Sequence, residues 1–254
     1  MISDLARRIW NSVGIYKARS PLINGMWFVG GWLFKRGEPT EEERFLMSLD
    51  LMGKVVYDIG ANVGIMTLFF ARAVGATGSV VAFEPHPYSF QRLSRNVGVN
   101  RLRNVRLVKK GAGEASAMLV MYQPSRHLSG ATLDGERAAR FGEGRLLDFT
   151  VEIDTLDNMI EALFLPAPDF VKIDVEGFEE QVLKGALRTI ERHRPAFFVE
   201  IHRLADETPT TAKVIEILKA YGYTFYHVEN GEYIDIHNCS HIRGGHVYAV
   251  CKEG

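Results

Sequence analysis

The chain has 254 residues, enough for one large α/β domain with modest additions and little room for a second independent core. Apolar residues make up 46% and charged residues 24%, the balance of a soluble globular protein, and the formal net charge of −1 argues against a duplex-binding surface of clustered Lys and Arg. Two cysteines (Cys239 and Cys251) without metal-ligand spacing, no apolar run of transmembrane length and no signal-peptide pattern lead to the expectation of a reduced, cytoplasmic setting.

Residues 1–50 differ in character from the rest of the chain. Leu5, Ile9, Trp10 and Val13 recur at helical spacing, and residues 26–34 form an aromatic, glycine-broken run too short to span a bilayer. Six basic residues (Arg7, Arg8, Lys17, Arg19, Lys35, Arg36) against two acidic ones (Asp4, Glu38) give this end a local balance of +4. The segment is read as an extension, a helix and an aromatic arm that packs on the domain, covers the cofactor as a lid or serves as a dimer contact in a homo-oligomer. Peripheral membrane contact through residues 1–36 is the other reading. Pro39-Thr40-Glu41-Glu42-Glu43 then opens a helix with acids in its first turn, and residues 51–254 are read as the main domain.

Residues 55–64 organise that domain. Val55-Val56-Tyr57-Asp58-Ile59 reads as a strand, Gly60-Ala61-Asn62-Val63-Gly64 as a tight turn, and residues 65–75 as a helix. This arrangement brings bare backbone against a nucleotide-like ligand. Gly60 and Gly64 would admit the ligand without a Cβ in the way, and Asn62 sits where a positive φ is often needed. A strand at 80–83 ends at Glu84-Pro85, about 20 residues after the glycines, where an acid can take both hydroxyls of a ribose. Nicotinamide-binding units favour G-x-G-x-x-G, whereas the pattern here is D-x-G-x-N-x-G. A carboxylate before the first glycine repels pyrophosphate and suits a ligand carrying an ammonium and a sulfonium. The spacing points to S-adenosylmethionine, with Asp58 facing its amino-acid end and Glu84 its ribose.

Helix 87–98 and strand 105–110 continue an alternation that implies a parallel sheet covered on both faces. Gly111-Ala112-Gly113-Glu114 follows; its small residues either leave room for an adenine, with Ala112 at the cofactor, or are plain turn residues. Residues 116–122 and 147–153 alternate as strands around a long loop, 123–146, that holds His127, Ser129 and Thr132 and reads as a lid, a binding loop or a surface loop. Strand 169–174 puts Lys172, Asp174 and Glu176 on one face, an expensive set for a buried sheet. Strand 196–202 repeats the pattern, with Glu200 and His202 on one face at its end. Helix 210–221, a strand at 223–228, a hairpin turn at Asn230-Gly231 and a strand at 246–251 close the chain, which suggests an antiparallel edge.

The chain resembles the FkbM family of S-adenosylmethionine-dependent methyltransferases. The matching pieces are Asp58-Ile-Gly-Ala-Asn-Val-Gly64, Phe83-Glu-Pro-His-Pro87, Thr155-Leu-Asp157, Val171-Lys-Ile-Asp-Val-Glu-Gly-Phe-Glu179, Leu183-Lys-Gly-Ala186 and Glu200-Ile-His202. They span roughly residues 53–203. The resemblance implies a doubly wound, mostly parallel seven-stranded Rossmann-like methyltransferase sheet with an antiparallel edge strand. It also implies O-methylation of a hydroxyl on a sugar, glycan or polyketide-type acceptor. Removing the hydroxyl proton calls for a base or a metal. The first assignment is His202 as general base, oriented by Glu200, with Asp174 beside methyl donor and acceptor. The other is a hard cation, Mg²⁺, held by Asp174, Glu200 and a neighbour. Other functional readings are a catalytically silent binding subunit and an RNA ribose methyltransferase using Lys172 and Asp174, although nucleic acid is not the expected partner. The glycine spacing disfavours an NAD-dependent oxidoreductase.

Overall fold

The computed structural model describes residues 14–29, 38–124, 131–133, 135–140, 146–202, 210–235, 239 and 242–251. Two short strands, β1 (Ile15–Lys17) and β2 (Trp27–Val29), pair antiparallel. They are followed by α1 (Glu41–Ser48), which is opened by a capping box in which Thr40 and Glu43 satisfy each other's backbone N–H. Then come β3 (Val55–Ile59), α2 (Ile65–Ala73), β4 (Ser79–Phe83), α3 (Pro87–Val99) and β5 (Val105–Val108). A small excursion follows: β6 (Gly111–Ala112), β7 (Ala117–Pro124), α4 (Gly135–Arg140) and β8 (Leu146–Asp154). The chain returns through α5 (Leu156–Ala162), β9 (Phe170–Ile173), α6 (Glu179–Lys184), α7 (Leu187–His193) and β10 (Ala196–Ile201). It closes with α8 (Thr211–Lys219), β11 (Tyr223–His227), β12 (Glu232–Tyr233) and β13 (Gly245–Cys251).

The main sheet has the order β12-β11-β13-β10-β9-β3-β4-β5. From β10 to β5 all pairings are parallel, and β13 runs antiparallel to both β10 and β11. The expected antiparallel edge is therefore present: β13 is inserted between β10 and β11, and the short β12, antiparallel to β11, ends the sheet as an eighth strand. The order follows from non-local ladders, Phe197–Ile201 against Gly245–Ala249 and Tyr223–His227 against Val247–Cys251, which no local pattern encodes.

Side chains alternate across this sheet as the strand period requires. Tyr57, Ile59, Val81, Phe83, Val171 and Ile173 pack on one face against α5, α6, α7 and α8. Val56, Val80, Phe170 and Phe198 pack on the other against α1 and α2. Ala18, Leu22, Ile23 and Phe28 belong to that second cluster, so the described portion of the N-terminal extension shares the domain's core. Its strand pair docks on α3: Asn96, and Asn100 just past the end of that helix, accept hydrogen bonds from the backbone N–H groups of Val29 and Trp27. The helix expected before residue 14 and most of the aromatic run after Val29 lie outside the described residues.

The strand expected over 105–110 divides. Its first four residues join the main sheet, whereas Gly111 and Ala112 pair with Ile153 and Asp154 in a separate sheet of order β6-β8-β7. That sheet stands over the ends of β3 and β4 and walls the site. Among the described residues, no helix is long and apolar enough to cross a membrane.

Candidate active site

The turn after β3 begins at Gly60, with φ +79°, passes Asn62 at +49° and ends at Gly64 at +93°, which opens α2. The need for glycine comes from the protein itself. A Cβ on Gly60 would lie 1.8 Å from the carbonyl oxygen of Asp174, and one on Gly64 would lie 2.6 Å from Leu93 Cδ1. Packing alone thus demands these glycines, which let the turn lie against the end of β9 and against α3.

Asp58 is wholly buried beneath this turn. Its Oδ2 accepts a hydrogen bond from Thr67 Oγ1 at 2.5 Å, and its Oδ1 faces Lys172 Nζ at 3.4 Å. Lys172, itself buried, also donates to Gly60 O and to Asp174 Oδ2, each at 3.2 Å. Burial opposes the charge on Lys172, but Asp174 and Asp58 more than offset it and the ammonium stays charged. Through these contacts Asp58 holds the turn from below.

Glu84 ends β4 with each carboxylate oxygen held by one backbone N–H. Asn62 N donates to Oε2 at 2.7 Å and His86 N to Oε1 at 2.8 Å. Burial raises its pKa to about 7 against those two bonds. The carboxylate borders a cavity lined also by Gly60, Asn62, Pro85, Gly111, Ala112 and Ile153. Ala131 and Leu133 close it from the long loop, and Thr132 Oγ1 donates to Glu176 O at 3.0 Å. The loop thus contributes a wall; His127 and Ser129 lie outside the described residues.

At the far end the cavity reaches Asp174 and Glu176, the latter at φ +55°, a strained value for a residue with a side chain. Beside them is His202, 8% exposed, just past β10. Its Nδ1 donates to the fully buried Glu179 at 2.8 Å. Its Nε2 looks at three carboxylates: Glu200 Oε1 at 3.4 Å, Glu176 Oε2 at 3.5 Å and Asp174 Oδ1 at 3.8 Å. Burial would lower the His202 pKa, but Glu179, Glu200 and Glu176 raise it to about 9. Burial and Asp174 push Glu200 up to about 7 against His202 and His246. Burial also pushes Asp174 up, but Lys172 and His202 prevail and hold it below the usual carboxylate range.

A sequence profile of the methyltransferase FkbM domain matches residues 58–225. The chain belongs to the methyltransferase FkbM domain family. The hexuronic acid methyltransferase AglP of Haloferax volcanii is 28% identical to this FkbM domain over 162 residues, 64% of this chain and 62% of AglP. The 31-O-demethyl-FK506 methyltransferase FkbM of Streptomyces tacrolimicus is 27% identical over 194 residues, 68% of this chain and 73% of that protein. The chain spans about three fifths of the length of the first curated relatives it matches. A crystal structure of methyltransferase FkbM from Methylobacillus flagellatus KT superposes with a TM-score of 0.50 at 17% identity, covering 96% of this chain and 50% of that one, a likeness of fold.

In this FkbM domain Gly60, Asn62, Glu84, Ala112 and Asp174 come together around one cavity, with Glu200 and His202 at its acidic end. Gly64 lies behind the turn and Asp58 beneath it. The orientation of His202 differs from expectation. Glu200 and His202 share a strand face, which places Glu200 at the outer nitrogen, while the inner nitrogen turns to Glu179. The acids around the ring favour its charged form. Glu179 was legible in principle, because it precedes Val182 and Leu183 by three and four residues on the buried face of α6. An acid in that stripe needs a partner inside.

Proposed function

We propose that this FkbM domain moves the methyl group of S-adenosylmethionine to a hydroxyl of a sugar, glycan or polyketide-type acceptor. The observation that carries the proposal is the cavity running from Glu84 to Asp174 and Glu176, the acids just past β9. The residues suit the cofactor. Each Glu84 oxygen has one lone pair taken by backbone and another left for a ribose hydroxyl, and Pro85, Gly111, Ala112 and Ile153 offer a flat, small-residue slot for a purine. When bound, the cofactor supplies a methyl group on a sulfonium that leaves as a neutral thioether.

The chain must then position the acceptor oxygen in line and receive its proton. A free alkoxide from a hydroxyl with a pKa near 15.7 would cost roughly 12 kcal/mol at pH 7, at 1.36 kcal/mol per unit. The proton therefore leaves as the carbon–oxygen bond forms, and the Asp174–Glu200–His202 cluster is where it goes. The names of AglP and of the Streptomyces tacrolimicus relative, one acting on a hexuronic acid and the other on a demethylated oxygen, support an oxygen acceptor. The test is transfer of an isotopically labelled methyl from S-adenosylmethionine to a panel of uronic acids, glycans and macrolactones, read by mass spectrometry. Label on oxygen supports the proposal. Cofactor binding without transfer to any hydroxyl favours a silent binding subunit, and failure to bind the cofactor overturns the reading.

A further inference from the structure

We infer that Asp174, Glu200 and His202 form a binding site for a divalent cation of the Mn²⁺ kind. The three donor atoms come from two strand ends and all lie within 4.8 Å of one another. Nε2 of the buried His202 points into the group and faces the carboxylates of Glu200, Glu176 and Asp174 at 3.4, 3.5 and 3.8 Å. Its separations of 3.4 Å from Glu200 Oε1 and 3.8 Å from Asp174 Oδ1 are close to those of two donors sharing a cation at about 2.0–2.2 Å from each.

What distinguishes this group from an ordinary acidic patch is the layer behind it. Asp174 and His202 each present one atom to the common centre and have the other held by a hydrogen bond from outside, while the second oxygen of Glu200 faces an imidazole. Asp174 turns Oδ1 inward, and Oδ2 accepts from Lys172 at 3.2 Å. Glu200 turns Oε1 inward, and Oε2 faces His246 Nε2 at 3.9 Å. His202 turns Nε2 inward, and Nδ1 donates to Glu179 at 2.8 Å, the carboxylate–histidine arrangement that fixes the tautomer of metal-ligating imidazoles. Glu179 in turn accepts from Gly177 N at 3.0 Å and is fully buried, so its position is not free to relax. One imidazole with two carboxylates suits Mn²⁺ better than the thiolate-seeking or all-oxygen metals. Three protein ligands leave coordination positions open toward the cavity that Asp174 and Glu176 line. An oxygen bound there would lose its proton more readily.

The experiment needs neither methyl donor nor acceptor, so its failure and the failure of the methyl-transfer reading are separable. MnCl₂ is titrated into the purified, chelator-stripped chain, with free Mn²⁺ followed by electron paramagnetic resonance and unfolding temperature followed in parallel. Expected are one bound equivalent, a raised unfolding temperature, and affinity reduced roughly tenfold or more in Asp174→Asn and Glu200→Gln. Glu179→Gln, a positioning change, should weaken binding by roughly 10–100-fold, with the unliganded fold checked by circular dichroism. If those variants do not fold, the native chain still decides: bound Mn²⁺ must broaden the ring signals of His202 more than those of His227. No uptake, uptake unchanged in the folded variants, or broadening centred elsewhere would each overturn the assignment.

Discussion

Glu84 offers the sharpest test, because the carboxylate that would hold the ribose also carries a shifted pKa. Its value of about 7 lies above the ordinary 4.5. The stability it contributes is therefore complete below pH 4.5 and is lost as pH rises through 7, roughly 3 kcal/mol at 1.36 kcal/mol per unit. Cofactor affinity should run the other way. Ribose hydroxyls donate to the ionised form, so if about a tenth of Glu84 is ionised at pH 6 and about nine tenths at pH 8, the affinity should rise about tenfold across that window. Glu84→Gln keeps the shape and removes the charge. Charge-assisted hydrogen bonds contribute about 1.5–3 kcal/mol each, so at pH 8 the variant should bind at least roughly tenfold more weakly. Its amide nitrogen must also face either Asn62 N–H or His86 N–H, which should lower stability by about 1–3 kcal/mol. Calorimetric titration with S-adenosylhomocysteine at pH 6, 7 and 8, beside thermal unfolding, reads both. Because Glu200 titrates in the same range, the decisive quantity is the pH dependence lost on substitution. An identical pH slope in native and Glu84→Gln proteins would refute the placement of the ribose.

Gly60→Ala should destabilise the fold by roughly 3 kcal/mol or more, because the new Cβ meets Asp174 O at 1.8 Å on a backbone at φ +79°; urea unfolding checks it. Thr67→Val removes the hydroxyl that serves buried Asp58 and should cost about 1–3 kcal/mol in the same measurement. Burial alone would raise the pKa of Glu229, but its bonds to the His246 side chain and backbone N–H hold it down to about 2. Its contribution to stability is present above pH 4.5 and lost as pH falls toward 2, so Glu229→Gln should flatten the acid limb of the stability curve.

How much of the fold and site was legible in the sequence depends on how far apart the deciding atoms lie. The β3 turn could be read because its causes are local: a β-branched run, then glycines and an asparagine at positive φ. Glu84 could be read from its distance to that turn. The reason for Gly60 could not, since the forbidding atom is the carbonyl of residue 174. Lys172 stood out as a charge in the strand Phe170–Ile173, all four of whose residues are buried, but its three partners come from two strand ends and a turn. The place of β13 was hidden for the same reason: a terminal strand's alternation shows that it is a strand and on which face it is buried, not which neighbours it divides. Glu200 and His202 were correctly paired by their period of two. The period says only that they share a face, and the partner that orients the imidazole arrives from a helix.

The buried charges beneath the turn call for a reason beyond stability. Replacing a buried ion pair by apolar residues of equal volume is often neutral or stabilising, so the Asp58–Lys172–Asp174 row is poorly explained as a device for holding the fold together. It is better explained by position. Lys172 Nζ reaches Gly60 O, Asp58 and Asp174 at once, so the turn that borders the Glu84 end of the cavity and the acid at its other end hang from one ammonium group. Methyl transfer requires donor and acceptor to be held in line, and small displacements at either end cost rate steeply. A shared buried cation couples the two ends in a way that apolar packing, which tolerates sliding, would not. The same row turns one oxygen of Asp174 away from the cavity and leaves the other facing His202, which gives the acidic end its geometry before any ligand arrives.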